Sequence, residues 1–194
     1  MRMFTGNQCR PLWRRVTLAL AALALSVCWE ALADEHVPHV IEIRMMMSKD
    51  GTQPYFDPVG IHIQPGDTVR WVQISNYHSV AAYHPKNGNH ELRIPEQAKP
   101  WNSTVLLAEY PARGSTFEYR FTVEGVYDYF CQPHEAAGMV GRIVVGAPGD
   151  GPGTRPFGYA PEKAWNAVPL VAQKQFPAIR EIMREGSVRV PWHE

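Results

Sequence analysis

The chain has 194 residues, enough for one well-buried domain with an extension. Its 19 Lys and Arg residues balance its 19 Asp and Glu residues, so no strong field points to nucleic acid or to an anionic membrane as partner.

In chain order, the first element reads as an export signal. Arg10, Arg14 and Arg15 precede an apolar run from Val16 to Cys28, and Ala31-Leu32-Ala33 offers small residues at a cleavage point. That is the layout of a secretory signal peptide. The run is too short to span a bilayer, which takes about 20 residues, and no other segment approaches that length. The mature chain is therefore expected in the periplasm, with no transmembrane segment after cleavage. Arg14-Arg15 is a loose fit to the twin-arginine pattern. Val27 before Cys28 argues against lipid anchoring, where a small residue is expected. Removing residues 1–33 of 194 leaves 161, and Cys9 and Cys28 leave with the signal. Cys131 is then alone. In an oxidising compartment it has no internal partner and must be buried, ligated or reactive.

From His39 to Gly146 short strands alternate with turns. Ile41, Ile43, Met45 and Met47 fall on one face of a first strand, so the run Met45-Met46-Met47 reads as strand residues rather than a metal relay. Ile61 and Ile63 share a face with His62 pointing outward; after a Pro65-Gly66-Asp67 turn, Val69, Trp71 and Gln73 line the next strand. "TFEYRFTV" and "VYDYFC" continue the pattern around Glu124-Gly125, and "GRIVVG" closes it. Period-two alternation at this spacing predicts an all-β antiparallel sandwich. Tyr127, Tyr129 and Cys131 then face inward, and Phe130 outward.

Ala81 to Ser115 is a long irregular region, rich in Pro, Asn and Gly and containing His84, His90 and Trp101. Such loops are functional or ordered by their own packing; for His84 and His90 polar packing is the default and a second metal site the alternative. "GAPGDGPGTRPFG" after Gly146 has linker composition. Beyond it, Trp165, Val168, Val171 and Ala172 have helical spacing, as do Ile179, Ile182 and Met183, with Pro177 suited to a first turn and Gly186 to a C-terminal cap. The expected organisation is a signal at 1–33, a sandwich domain at 34–146, and a linker with a short helical extension at 147–194.

Cys131, His134 and Met139 form C-x2-H-x4-M, between one strand and the next. Two histidines and a cysteine with a weak axial methionine are the donor set of a type 1 copper site. The missing histidine is best supplied by His78 in "SNYHSV", since loops at one end of a sandwich converge. Zinc also accepts cysteine and two histidines, but a thioether suits it poorly. A thiol nucleophile with His134 as base lacks an orienting acid and leaves Met139 unexplained.

"YFDPVGIHIQPGDTVRWVQISNYHSV" and "GVYDYFCQPHEAAGMVGRIVVG" together resemble the cupredoxins, closest to the plastocyanin and pseudoazurin group. The resemblance covers roughly residues 39–146 and implies a Greek-key sandwich with a type 1 copper bound by His78, Cys131, His134 and Met139. Two residues depart from the group: Ser79 stands where plastocyanins commonly carry an Asn that steadies the cysteine loop, and Phe130 where many have a tyrosine near the docking surface.

The function this implies is one-electron transfer without substrate turnover, in a monomer that exchanges electrons at the His134 edge with c-type cytochromes or copper enzymes. The alternative is a copper-tolerance protein that buffers periplasmic copper. That reading draws on Asp34-Glu35-His36: after cleavage at Ala33, a free amine, two amides and the His36 imidazole would offer Cu(II) a square-planar nitrogen set.

Overall fold

The computed structural model describes residues 36–104, 115–147 and 164–190. The export signal, Asp34 and Glu35 lie outside the described residues, as does most of the linker.

The strands are β1 (Val40–Met47), β2 (Pro54–Asp57), β3 (Gly60–Ile63), β4 (Thr68–Gln73), β5 (Ala81–Ala82), β6 (Thr116–Arg120), β7 (Gly125–Phe130), β8 (Val140–Val145) and β9 (Ser187–Val188). They form two sheets, β2-β1-β4-β6 and β5-β7-β8-β3-β9, the Greek-key sandwich of a cupredoxin. The pairing is not wholly antiparallel as expected, because β1 runs parallel to β4 and β3 parallel to β8. Alternation reports which face is buried and carries no information on the direction of the neighbouring strand.

The inward faces follow the pattern. Ile43, Met45, Ile61, Ile63, Val69 and Trp71 are buried, and Gln73 is buried among them. Trp101 closes the core from the long loop, stacked on Trp71 at 5.9 Å between ring centroids and set edge-on to Phe121 at 5.4 Å. Part of that loop is thus ordered by its own packing. His62 is not simply solvated: half-buried, its Nε2 lies 2.8 Å from the Gly146 carbonyl.

The carboxy-terminal segment covers the outer face of the second sheet. Two short helices, α1 (Leu170–Gln173) and α2 (Ile179–Glu185), precede β9, which pairs with β3. Gly186 caps α2 at φ 71° as expected, whereas Pro177 falls before the cap residue Ala178. The first helix is a single turn, shorter than its spacing suggests; Trp165 lies before it, Val168 and Ala172 are buried, and Val171 is half exposed. Under this cover Phe130 faces outward from its sheet but is only 1% exposed, packed with Tyr83, Val168 and Ala172. An outward position on a strand is a solvent position only when no further layer lies on that face.

A buried ion cluster fastens the layer. Asp128 accepts from Arg93 Nη2 at 2.7 Å and from Arg142 Nε at 2.7 Å. Arg142 also donates to the Pro177 carbonyl at 2.7 Å, and Phe176 lies 4.8 Å from the Arg93 guanidinium and 5.0 Å from that of Arg142. Burial alone would raise the Asp128 pKa; Arg142 and then Arg93 outweigh it and hold the carboxyl below its usual range. No helix of the described residues is long and apolar enough to cross a membrane.

Candidate metal centre

Cys131 follows the last residue of β7, and Met139 immediately precedes β8, so two adjacent antiparallel strands set the ends of the motif. The six residues Gln132–Ala137 between them form a 3-10 turn, started by Pro133 and ended by Gly138 at φ 88°, a backbone state open to glycine. The loop bonds to itself. Cys131 N–H donates to the Met139 carbonyl at 3.0 Å, Met139 N–H to the His134 carbonyl at 3.1 Å, and His134 N–H to the Cys131 carbonyl at 3.0 Å.

His78 comes from the segment after β4, and the tertiary structure brings it to this loop. Cys131 Sγ lies 3.4 Å from His134 Nδ1 and 3.8 Å from His78 Nδ1, and the three donor atoms are all within 4.8 Å of one another. These separations suit one ion held at about 2.0–2.3 Å from each nitrogen and sulfur donor. His78, Cys131 and Met139 are fully buried, and His134 alone is partly exposed. Burial, and then the neighbouring His134, lower His78 to about 4, while burial pushes the Cys131 thiol up to about 11. A metal that binds Cys131 as a thiolate releases the thiol proton.

Ser79 ties the two segments together. Its N–H donates to Cys131 Sγ at 3.4 Å, and its hydroxyl accepts the Gln132 N–H at 2.9 Å. This buried serine thus steadies the cysteine loop from the position where Asn is common in plastocyanins. The sequence marks Ser79 as a departure from that Asn; its two contacts with the cysteine loop come from the fold. Tyr77, half exposed, lies over the His134 ring at 5.3 Å.

The loop histidines do not join this group. His84 Nδ1 accepts the Lys86 N–H at 3.0 Å, and His90 Nε2 lies 3.0 Å from Glu135 Oε2, whose other oxygen accepts from Tyr83 Oη at 2.8 Å. Among the described residues neither belongs to a group of metal-ligating side chains. His36 does, but with His39 and Asp67, and its Nε2 faces Asp67 Oδ1 at 2.7 Å.

A two-sheet Greek key with histidine, cysteine, histidine and methionine gathered at one end defines a cupredoxin, a class whose cofactor is copper. A family model for copper binding proteins of the plastocyanin/azurin family matches residues 43–146, and the chain belongs to that family. A plastocyanin of Synechococcus sp. is 35% identical over 130 residues, 66% of this chain and 91% of that protein. A pseudoazurin of Methylorubrum extorquens is 28% identical over 131 residues, 68% of this chain and 75% of that protein. Among solved structures, a Sinorhizobium pseudoazurin matches with 29% identity and a TM-score of 0.47, over 60% of this chain and 80% of that one.

Proposed function

We propose that the protein is a periplasmic type 1 copper protein that carries single electrons between redox partners, with His78, Cys131, His134 and Met139 as the copper ligands. The observation that carries this reading is the donor geometry: one sulfur and two imidazole nitrogens within 4.8 Å of one another, with the fully buried Met139 in the same turn. Bound copper supplies a one-electron Cu(II)/Cu(I) couple, with a potential set by the axial ligand and by the surroundings of the cysteine sulfur.

The protein's own residues hold the donors still. The strand ends of β7 and β8, the self-bonded turn and Ser79 hold Cys131, His134 and Met139 in place, so a change of charge at the centre calls for little rearrangement. Burial keeps water from three of the four ligands. The exposed edge of His134 is left as the entry and exit point, beside the ring of Tyr77, which is 48% exposed. We assign docking to this edge, with a c-type cytochrome or a copper enzyme as partner and a monomer as the working form. Export follows from the signal at 1–33, with the sandwich domain at 34–146 and the extension at 147–194. Carrying electrons turns over no substrate, so the protein is not an enzyme on this reading.

Copper tolerance, the other reading, calls for sites that open to load and release copper. A closed, buried and internally bonded donor set supports the carrier instead. The test is the visible spectrum of the copper-loaded protein. An intense thiolate-to-Cu(II) band is expected, and Cys131→Ser should abolish it; a variant that kept the band would overturn the ligand assignment.

A further inference from the structure

His36 and His39 stand three residues apart just before β1, and Asp67 ends the turn between β3 and β4. His36 Nε2 lies 2.7 Å from Asp67 Oδ1, and His39 Nδ1 lies 3.8 Å from the same oxygen. The two rings are tilted at 49° with centroids 5.5 Å apart. The hydrogen bond between His36 and Asp67 engages one ring. The second, 68% exposed and beyond hydrogen-bond distance, is turned to the same carboxylate, so that one donor atom from each of the three residues lies within 4.8 Å of the others.

The carboxylate is held in place before any ligand arrives. Asp67 Oδ1 accepts the His39 N–H at 2.8 Å, and Oδ2 accepts the Gln64 N–H at 2.8 Å. Its side chain is 5% exposed, while that of His36 is 30% exposed, so the anion is sheltered and the imidazoles open to solvent. Pro38 between the histidines fixes its own φ and restricts Val37 before it, which limits the freedom of the short link.

We propose that His36, His39 and Asp67 form a second metal site that takes a divalent first-row ion, Cu(II) in preference to Zn(II), through two imidazole nitrogens and one carboxylate oxygen. Two imidazoles and a carboxylate with open positions for water are an established donor set for zinc and for first-row transition metals, and the general order of affinity places Cu(II) above Zn(II). The ion takes the place of the proton that His36 Nε2 donates to Asp67; that proton leaves to solvent, and the ring then carries its one proton on Nδ1.

The site is remote from Cys131. Asp67 immediately precedes β4, whose six residues lead away from it toward His78, and six residues of strand span about 20 Å. It also differs from an amino-terminal Cu(II) set, which would use the backbone amides of residues 35 and 36 and needs neither His39 nor Asp67. It does not rest on the electron-carrier reading.

The test uses copper-loaded protein with its visible band recorded, titrated with Cu(II) chloride and, separately, Zn(II) chloride. Calorimetry and paramagnetic resonance follow the binding. A second equivalent of Cu(II) should bind with a signal showing two imidazole nitrogens, and Zn(II) chloride in excess should displace it. His39→Ala, at an exposed side chain, should leave the visible band intact and weaken the second site by on the order of 100-fold, the upper end of what losing even a ligand's outer partner costs. An alanine inserted between Ala33 and Asp34 moves His36 out of third place in a chain cleaved after Ala33 and should leave the second site unchanged. Absence of a second equivalent below about 1 mM overturns the proposal. So does equal affinity in His39→Ala, which would assign the ion to the amino-terminal set. Loss of the visible band with the second equivalent still bound would count against the type 1 reading and leave this site standing.

Discussion

Replacing Ser79 by alanine removes one hydroxyl from a position that is 0% exposed. The Gln132 N–H, which reaches that hydroxyl at 2.9 Å, is then left facing a methyl group. Gln132 is itself exposed and this bond is only part-buried, so water can partly replace the hydroxyl and the cost is the net worth of one hydrogen bond, about 0.5–1.5 kcal/mol. For a domain of this size each kcal/mol moves the melting temperature by roughly 2–4 °C, and the expected fall is about 1–6 °C. The Ser79 backbone N–H still donates to Cys131 Sγ, so the thiolate band should persist while the loop loosens. Thermal unfolding of the copper-free and copper-loaded forms, followed by circular dichroism and by visible absorption, measures both effects. A Ser79→Ala variant that melted within about 1 °C of the parent would refute the argument that this hydroxyl joins the His78 segment to the cysteine loop.

The other expectations concern the axial ligand, the buried ion cluster and the loop histidine. Met139→Gln should keep copper but lower the potential measured by voltammetry, because a harder oxygen donor favours Cu(II); an unchanged potential would remove Met139 from the ligand set. Asp128→Ala leaves two buried guanidinium groups without their shared carboxylate and should cost about 3–5 kcal/mol in denaturant unfolding; a loss under about 1 kcal/mol would contradict the role given to the cluster. The hydrogen bond from His90 to Glu135 holds the His90 pKa above its ordinary 6.5 against the opposing effect of burial. A raised folded value means that this contribution to stability is fully present below pH 6.5 and is lost as pH rises through the folded value. Proton resonance titration of the His90 ring should show the upward shift, and Glu135→Gln should reverse it.

Local chemistry made the copper reading legible in the sequence. C-x2-H-x4-M between two strand patterns states three donors in one turn, because residues so close along the chain cannot be far apart in space. The inward faces of β1, β3 and β4 were readable for a related reason: a strand puts alternate side chains on opposite faces whatever its neighbours are. The direction of those neighbours lies in how the chain returns, so the parallel pairs β1 with β4 and β3 with β8 belong to the tertiary structure. The same is true of every contact across a long separation. His78 is 53 residues from Cys131, and His36 is 31 from Asp67; no spacing rule reaches that far. Phe130 shows the difference within one residue. Its alternation correctly turns it away from the sandwich core, yet its burial depends on α1, Tyr83 and Phe176 arriving from distant segments to cover that face. A sequence pattern specifies the direction in which a side chain leaves its own strand, and only the packed fold decides whether it meets solvent, a metal partner or another layer of protein there.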